Sequence, residues 1–155
     1  MDKIKWCLEI NKGLLISEPN EDLANAYLQK AKTAITAATR LKGIPDWQIT
    51  CIYYSMYFSV YSILQKIGVN SQNHECTIEF AKRCLSDIFK KSEIQTIKKC
   101  MSARIESQYY TPSREYDYKR LQQSAEQLLS KCTSMIITGQ NMKRIHSDIA
   151  ALQTI

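Results

Sequence analysis

The chain is poor in the residues that interrupt helices. It has four Gly and three Pro in 155 residues, which disfavours an all-β or loop-rich fold. It has two His, and none of its six Cys forms a C-x-x-C pair. A zinc site is therefore not expected, and neither is any other metal or cofactor. No apolar run reaches membrane-spanning length, because Lys, Glu, Gln or Ser interrupts every long one. Residues Met1 to Gly13 lack the apolar core of a signal peptide. The expectation is a cytoplasmic protein without membrane contact. One domain is expected, with the main bundle over 1–139 and a helical extension of it over 140–155.

Charge of one sign dominates without clustering. The net charge is +6, with a pI near 9.0, yet no dense Lys/Arg block occurs. Such a surface permits binding to nucleic acid or to an acidic protein and establishes neither. The cysteines, Cys7, Cys51, Cys76, Cys84, Cys100 and Cys132, fall about one per expected helix and suit small buried positions. In an ordinary cytosol they would be reduced. In a hyperthermophile they could pair.

What the chain does have is helical periodicity. The stretch from Trp47 to Gly68 reads as one long helix rich in tyrosine. Tyr53, Tyr57 and Tyr61 stand at i, i+4 and i+8 and share a face. Tyr54, Phe58 and Ile52 add a neighbouring apolar arc. Ser55, Ser59 and Ser62 leave room for another helix to approach. Gly68 is a natural stop. A helix so apolar around its circumference belongs inside a bundle, or in a bundle plus a dimer contact.

The other elements are arranged around it. A short amphipathic helix spans Asp2 to Asn11, and Gly13 ends it. Asn20 caps a second helix to Lys42, with Glu21 and Asp22 in its first turn. Its expected buried face holds Leu23, Tyr27, Ala31, Ala34, Ala38 and Leu41. A turn at Gly43 to Asp46 sets this helix antiparallel to the tyrosine helix, with Asp46 as the cap of the latter. Further helices are expected over His74–Phe89, Ser92–Gln108 and Arg114–Thr138. Ile105 is expected to point inward. Gly139 and Asn141 weaken the last of these helices, and a further short helix is expected from Met142 to Ile155. No strand alternation persists. The fold class is an all-α, up-and-down bundle of five to six helices.

Four pieces, in this order, resemble the HEPN family in its small stand-alone prokaryotic branch. They are Lys12-Gly13-Leu14-Leu15 with Pro19-Asn20; the run Ile52 to Ser59, similar to the family's Tyr-Tyr-Ala-Met-Phe helix; Gly68 to His74, similar to its Gly…Ser-x-x-His turn; and Arg104 followed by Gln108-Tyr109-Tyr110. The resemblance implies a helical bundle that forms a homodimer, often beside a small nucleotidyltransferase. Many relatives are metal-independent endoribonucleases, several of them toxins of toxin–antitoxin pairs. Their signature is Arg, a spacer of several residues, then His. Here Tyr109, Tyr110 and Thr111 occupy that window and the His is missing. The expectation is a nucleotide- or RNA-binding or interaction module without the usual ribonuclease activity. The alternative is an active endoribonuclease using Arg104 with an acid or base other than His. A purely structural helical dimer stays open.

The chemistry frames the candidate residues. Arg104 can hold a phosphate through its planar fork, or it can simply pair with a Glu or cap a helix. Glu106, Tyr109 and Tyr110 lie nearby in sequence. A Tyr can stack on a base or donate a hydrogen bond, but its ordinary pKa near 10 makes it a poor base. His74 shapes the groove or merely starts its helix. Tyr53, Tyr54, Tyr57 and Tyr61 line a dimer seam, a cleft or the core. Tyr116 and Tyr118, with Arg114, Lys119 and Arg120, form a basic-aromatic cluster or a solvated helix start. His146 is expected to be exposed.

Overall fold

The structure is a computed structural model that describes residues 2–109 and 115–154. Within them the chain forms seven helices and one two-stranded sheet, so the fold class is all-α. The helices are α1 (Lys3–Glu9), α2 (Glu21–Arg40), α3 (Pro45–Ile67), α4 (His74–Cys84), α5 (Lys91–Tyr109), α6 (Tyr118–Ser134) and α7 (Gly139–Gln153). The strands are β1 (Leu14–Ile16) and β2 (Val69–Ser71).

Helix α3 is the axis. Between Trp47 and Phe58 the residues that are not buried are Trp47, Cys51, Tyr54 and Phe58, a single stripe; Ile49, Ile52, Tyr53, Met56 and Val60 are all within 1% of complete burial. Each fully buried aliphatic side chain contributes roughly 1.5–3 kcal/mol. Helix α2 runs antiparallel along α3. Ser55 Oγ donates to Ala31 O across 3.0 Å, and Asn20 N donates to Gln65 O across 2.9 Å. The small serines allow this approach. Helices α5 and α6 also pack against α3.

The ends follow local chemistry, with some corrections. Asn20 accepts from Leu23 N and caps α2 as expected. Leu23, however, is 37% exposed, and Ala24 and Leu28 are buried instead. Ala31 and Ala38 are buried as expected, so the buried stripe departs from the expected one mainly in the first half of the helix. Asp46 does not cap α3. Pro45 opens that helix and Asp46 lies in its first turn, where Pro loses no hydrogen bond. Gly68 ends α3 at φ +84°, the left-handed turn that glycine adopts without steric cost.

Three expectations fail in detail. Helix α4 stops at Cys84, and a turn then brings Ile88 and Phe89 into the core. Ile105 is 41% exposed rather than inward. Helix α6 stops at Ser134 instead of reaching Thr138, and Gly139 and Asn141 lie beyond it, in the first turn of α7. Thr138 and Asn141 form a capping box that starts it. Ile145 and Ile149 are buried, and α7 packs against α1 and α4.

Strands were not expected, and three residues each are too few to show alternation. β1 and β2 pair antiparallel, Leu14 with Ser71 and Ile16 with Val69. The sheet pins the turn that leads into α4. Gln65 Nε2 donates to Asn70 Oδ1 at 2.9 Å, and Asn70 Nδ2 donates to Ser17 Oγ at 2.9 Å. Asn73 then caps α4 by accepting from Cys76 N. A disulfide, Cys7–Cys76, ties α1 to the first turn of α4, and both cysteines are fully buried. Cys51, Cys84, Cys100 and Cys132 are free.

The disulfide joins positions 69 residues apart. Replacing both Cys7 and Cys76 by Ser is expected to lower stability by roughly 2–4 kcal/mol, read from urea midpoints without reductant. Equal midpoints for the variant and the oxidised protein would show that the two thiols do not pair.

Candidate functional site

Three helices bring their side chains to one place. Tyr53 and Tyr54 come from the middle of α3, His74 is the first residue of α4, and Arg104 lies on α5. The guanidinium carbon of Arg104 sits 5.0 Å from the Tyr53 ring centre and 5.5 Å from that of Tyr54, within cation–π range. Arg104 Nη1 reaches the Tyr54 hydroxyl at 3.4 Å. Nδ1 of His74 lies 2.8 Å from the Tyr53 hydroxyl. The imidazole stacks on Tyr57 with ring centres 3.9 Å apart and planes 14° from parallel.

The electrostatics are unusual for a basic residue so placed. Among the described residues Arg104 pairs with no carboxylate. Its Nε is buried and has no hydrogen-bond partner among the described residues. Aromatic faces stabilise the charge but offer no acceptor for that N–H. An anion arriving at the guanidinium would meet a cation that has no carboxylate partner among the described residues.

His74 is pushed toward its neutral form. Burial and then the Arg104 charge lower its pKa from the ordinary 6.5, and the start of a helix also disfavours a positive charge. Tyr53 keeps its proton, because burial and then Tyr57 raise its pKa, outweighing the opposing pull of Arg104. With the phenol protonated and the ring neutral, the O–H can donate to Nδ1, which leaves the imidazole proton on Nε2. Tyr57 is raised by burial to about 12 and has its hydroxyl 3.3 Å from that of Thr77.

The remaining candidates divide clearly. Tyr53, Tyr57 and Tyr61 form a stack inside the protomer. They are 0%, 5% and 8% exposed and belong to the buried core. The Tyr61 hydroxyl accepts from Ser71 N and braces β2. Tyr54 alone of the four is half-buried and faces the site. Glu106 forms no ion pair with Arg104 and instead accepts a 3.0 Å bond from Tyr116. Tyr109 is 75% exposed at the end of α5. Tyr110, Thr111 and Arg114 lie outside the described residues. Asp117 caps α6 by accepting from Arg120 N, with Lys119 and Arg120 exposed, so Tyr116 and Tyr118 flank a helix start. His146 is exposed, with Nε2 3.1 Å from Ile67 O.

Among the described residues no three His, Cys, Asp or Glu side chains gather as a metal would require. Burial raises Cys84 to about 11 and Cys100 and Cys132 to about 12, which keeps these thiols protonated and unreactive. The sequence did not reveal that Lys30 of α2 lies over the Tyr27 and Phe58 rings, a cation–ring cluster separate from that of Arg104. Lys30 Nζ lies 5.6 Å from the Phe58 ring centre and 6.0 Å from that of Tyr27. The i, i+3 spacing of Tyr27 and Lys30 was the available signal.

A titration follows from the lowered His74 pKa. The unfolded chain takes up a proton as pH falls below 6.5, while the folded protein resists it. Stability is therefore undiminished above that value and falls as pH drops through it toward the folded pKa. His74→Asn should flatten this loss in urea midpoints taken across the range. In Arg104→Gln, NMR titration of the His74 ring should give a midpoint above that of the parent. An unshifted midpoint would mean that the Arg104 charge does not reach the imidazole.

Set against known proteins, the chain matches no family model and no curated protein, so its geometry carries the functional reading.

Proposed function

We propose that the protein is a nucleotide- or RNA-binding module whose site is Arg104 framed by Tyr54 and His74. The observation that carries this is the Arg104 guanidinium, set on two tyrosine rings with no carboxylate partner among the described residues. A phosphate supplies the missing counter-charge and an acceptor for its N–H groups. A half-buried tyrosine beside it offers a face to a base. In the HEPN-like picture the module is a homodimer beside a small nucleotidyltransferase, within the cytoplasm. The resemblance of the Ile52–Ser59 and Gly68–His74 stretches supports that picture.

A second reading is metal-independent RNA cleavage. It is favoured by a neutral imidazole on the same tyrosine pair as the arginine, although His74 precedes Arg104 in the chain. As the 2′-oxygen bonds to phosphorus and gives its proton to water, the Nε2–H of His74 would protonate the 5′-oxygen that leaves. Arg104 would hold the phosphate as charge builds on it.

Titration with fluorescent ATP separates binding from no binding. Arg104→Ala should weaken it by roughly tenfold or more, the loss of a charge-assisted hydrogen bond. Saturable binding untouched by the substitution would remove Arg104 from the site. For cleavage, structured RNA is incubated with protein and chelator. Products that vanish in both Arg104→Ala and His74→Ala would support the second reading, and products that persist in both would end it. The solution mass tests the dimer; a monomer at micromolar concentration rules it out.

A further inference from the structure

We propose that the strip from Arg104 and Tyr54 through Phe58 and Tyr27 to Lys30 is a track for a single-stranded polynucleotide. Bases lie on the rings and backbone phosphates at the two cations. This rests on the reading that Arg104 takes a phosphate, and it extends the site along α3 onto α2.

Three observations carry it. Tyr54 and Phe58 belong to the stripe of α3 left unburied by its neighbours, and Tyr27 of α2 is half-buried beside them. Their rings form a row of similar tilt. Tyr54 and Phe58 have centres 5.6 Å apart and planes 31° from parallel, and Phe58 and Tyr27 have centres 5.7 Å apart at 27°. A cation rests at each end, Arg104 on Tyr54 and Lys30 on Phe58 and Tyr27. Among the described residues neither cation forms an ion pair.

The partner chemistry follows. A row of aromatic faces bounded by uncompensated cations suits a ligand that alternates planar apolar groups with anions. A single strand does so, whereas a duplex keeps its bases inside the stack. A mononucleotide occupies only one end. A second copy of this chain meeting the strip about a two-fold axis would bring the same strip, with the same two cations, against it. That juxtaposition is electrostatically unfavourable, so the polyanion is the better occupant.

The test is fluorescence anisotropy on the full chain, with a labelled oligouridine about eight nucleotides long and with AMP as the short ligand. The oligomer is expected to bind at least roughly tenfold more tightly than AMP. Lys30→Ala should weaken the oligomer several-fold, leave AMP unchanged, and lower the slope of log affinity against log salt by about 0.7, one phosphate's share on a single strand. Phe58→Leu, which keeps an apolar side chain in place, should cost the oligomer roughly tenfold. If Arg104→Ala abolishes AMP binding while Lys30→Ala and Phe58→Leu leave oligomer affinity and salt slope untouched, the track is wrong and the Arg104 site stands. If neither AMP nor the oligomer binds, both readings fall. A duplex of equal length that competes as well as the single strand would also overturn the track. So would a solution dimer that Phe58→Glu converts to monomer, since the strip would then belong to a second copy.

Discussion

Burying α3 on all but one stripe requires apolar neighbours along most of its circumference, and α2, α5 and α6 supply them. Side chains from these helices close over a single rod, and the stability of the bundle depends on the apolar area they remove from water. Trp47, Cys51, Tyr54 and Phe58 are less buried and mark the side that the described neighbours cover least. The candidate site is at the edge of that side, so its place is a by-product of how the core closes.

The polar chemistry at this edge is set by desolvation. A guanidinium on two tyrosine rings keeps its charge, because aromatic faces are partly negative and arginine is only weakly hydrated. A neighbouring imidazole, half-buried and bonded to a phenol, gives its charge up. The site therefore holds one fixed positive charge and one neutral ring. That division lets an anion bind at one group while the other remains able to accept or donate a proton.

Position is supplied from outside the site. The β1–β2 ladder, the Gln65–Asn70–Ser17 bonds and the Asn73 cap fix where α4 begins. The Cys7–Cys76 disulfide anchors the first turn of the same helix to α1. His74 thus starts from a braced backbone, and its ring is held by Tyr53 and Tyr57. Side chains held this way need little ordering when a ligand arrives.

The sequence by itself determined the helices, because a period of 3.6 in apolar residues, the Asn20 cap and the Gly68 stop are local signals. It marked α3 as the buried element and Arg104 and His74 as residues to watch. It could not determine what depends on distant partners. The three-residue strands carry no period, the Cys7–Cys76 pairing joins positions far apart in the chain, and the inward face of α2 is blurred by its alanines. Only the tertiary structure decided that Arg104 and His74 share Tyr53 and Tyr54, that Glu106 bonds to Tyr116 instead of Arg104, and that Lys30 lies over the Phe58 ring. Those relations arise where α2, α3, α4 and α5 meet, and contacts between separate helices leave no periodic trace in any one of them.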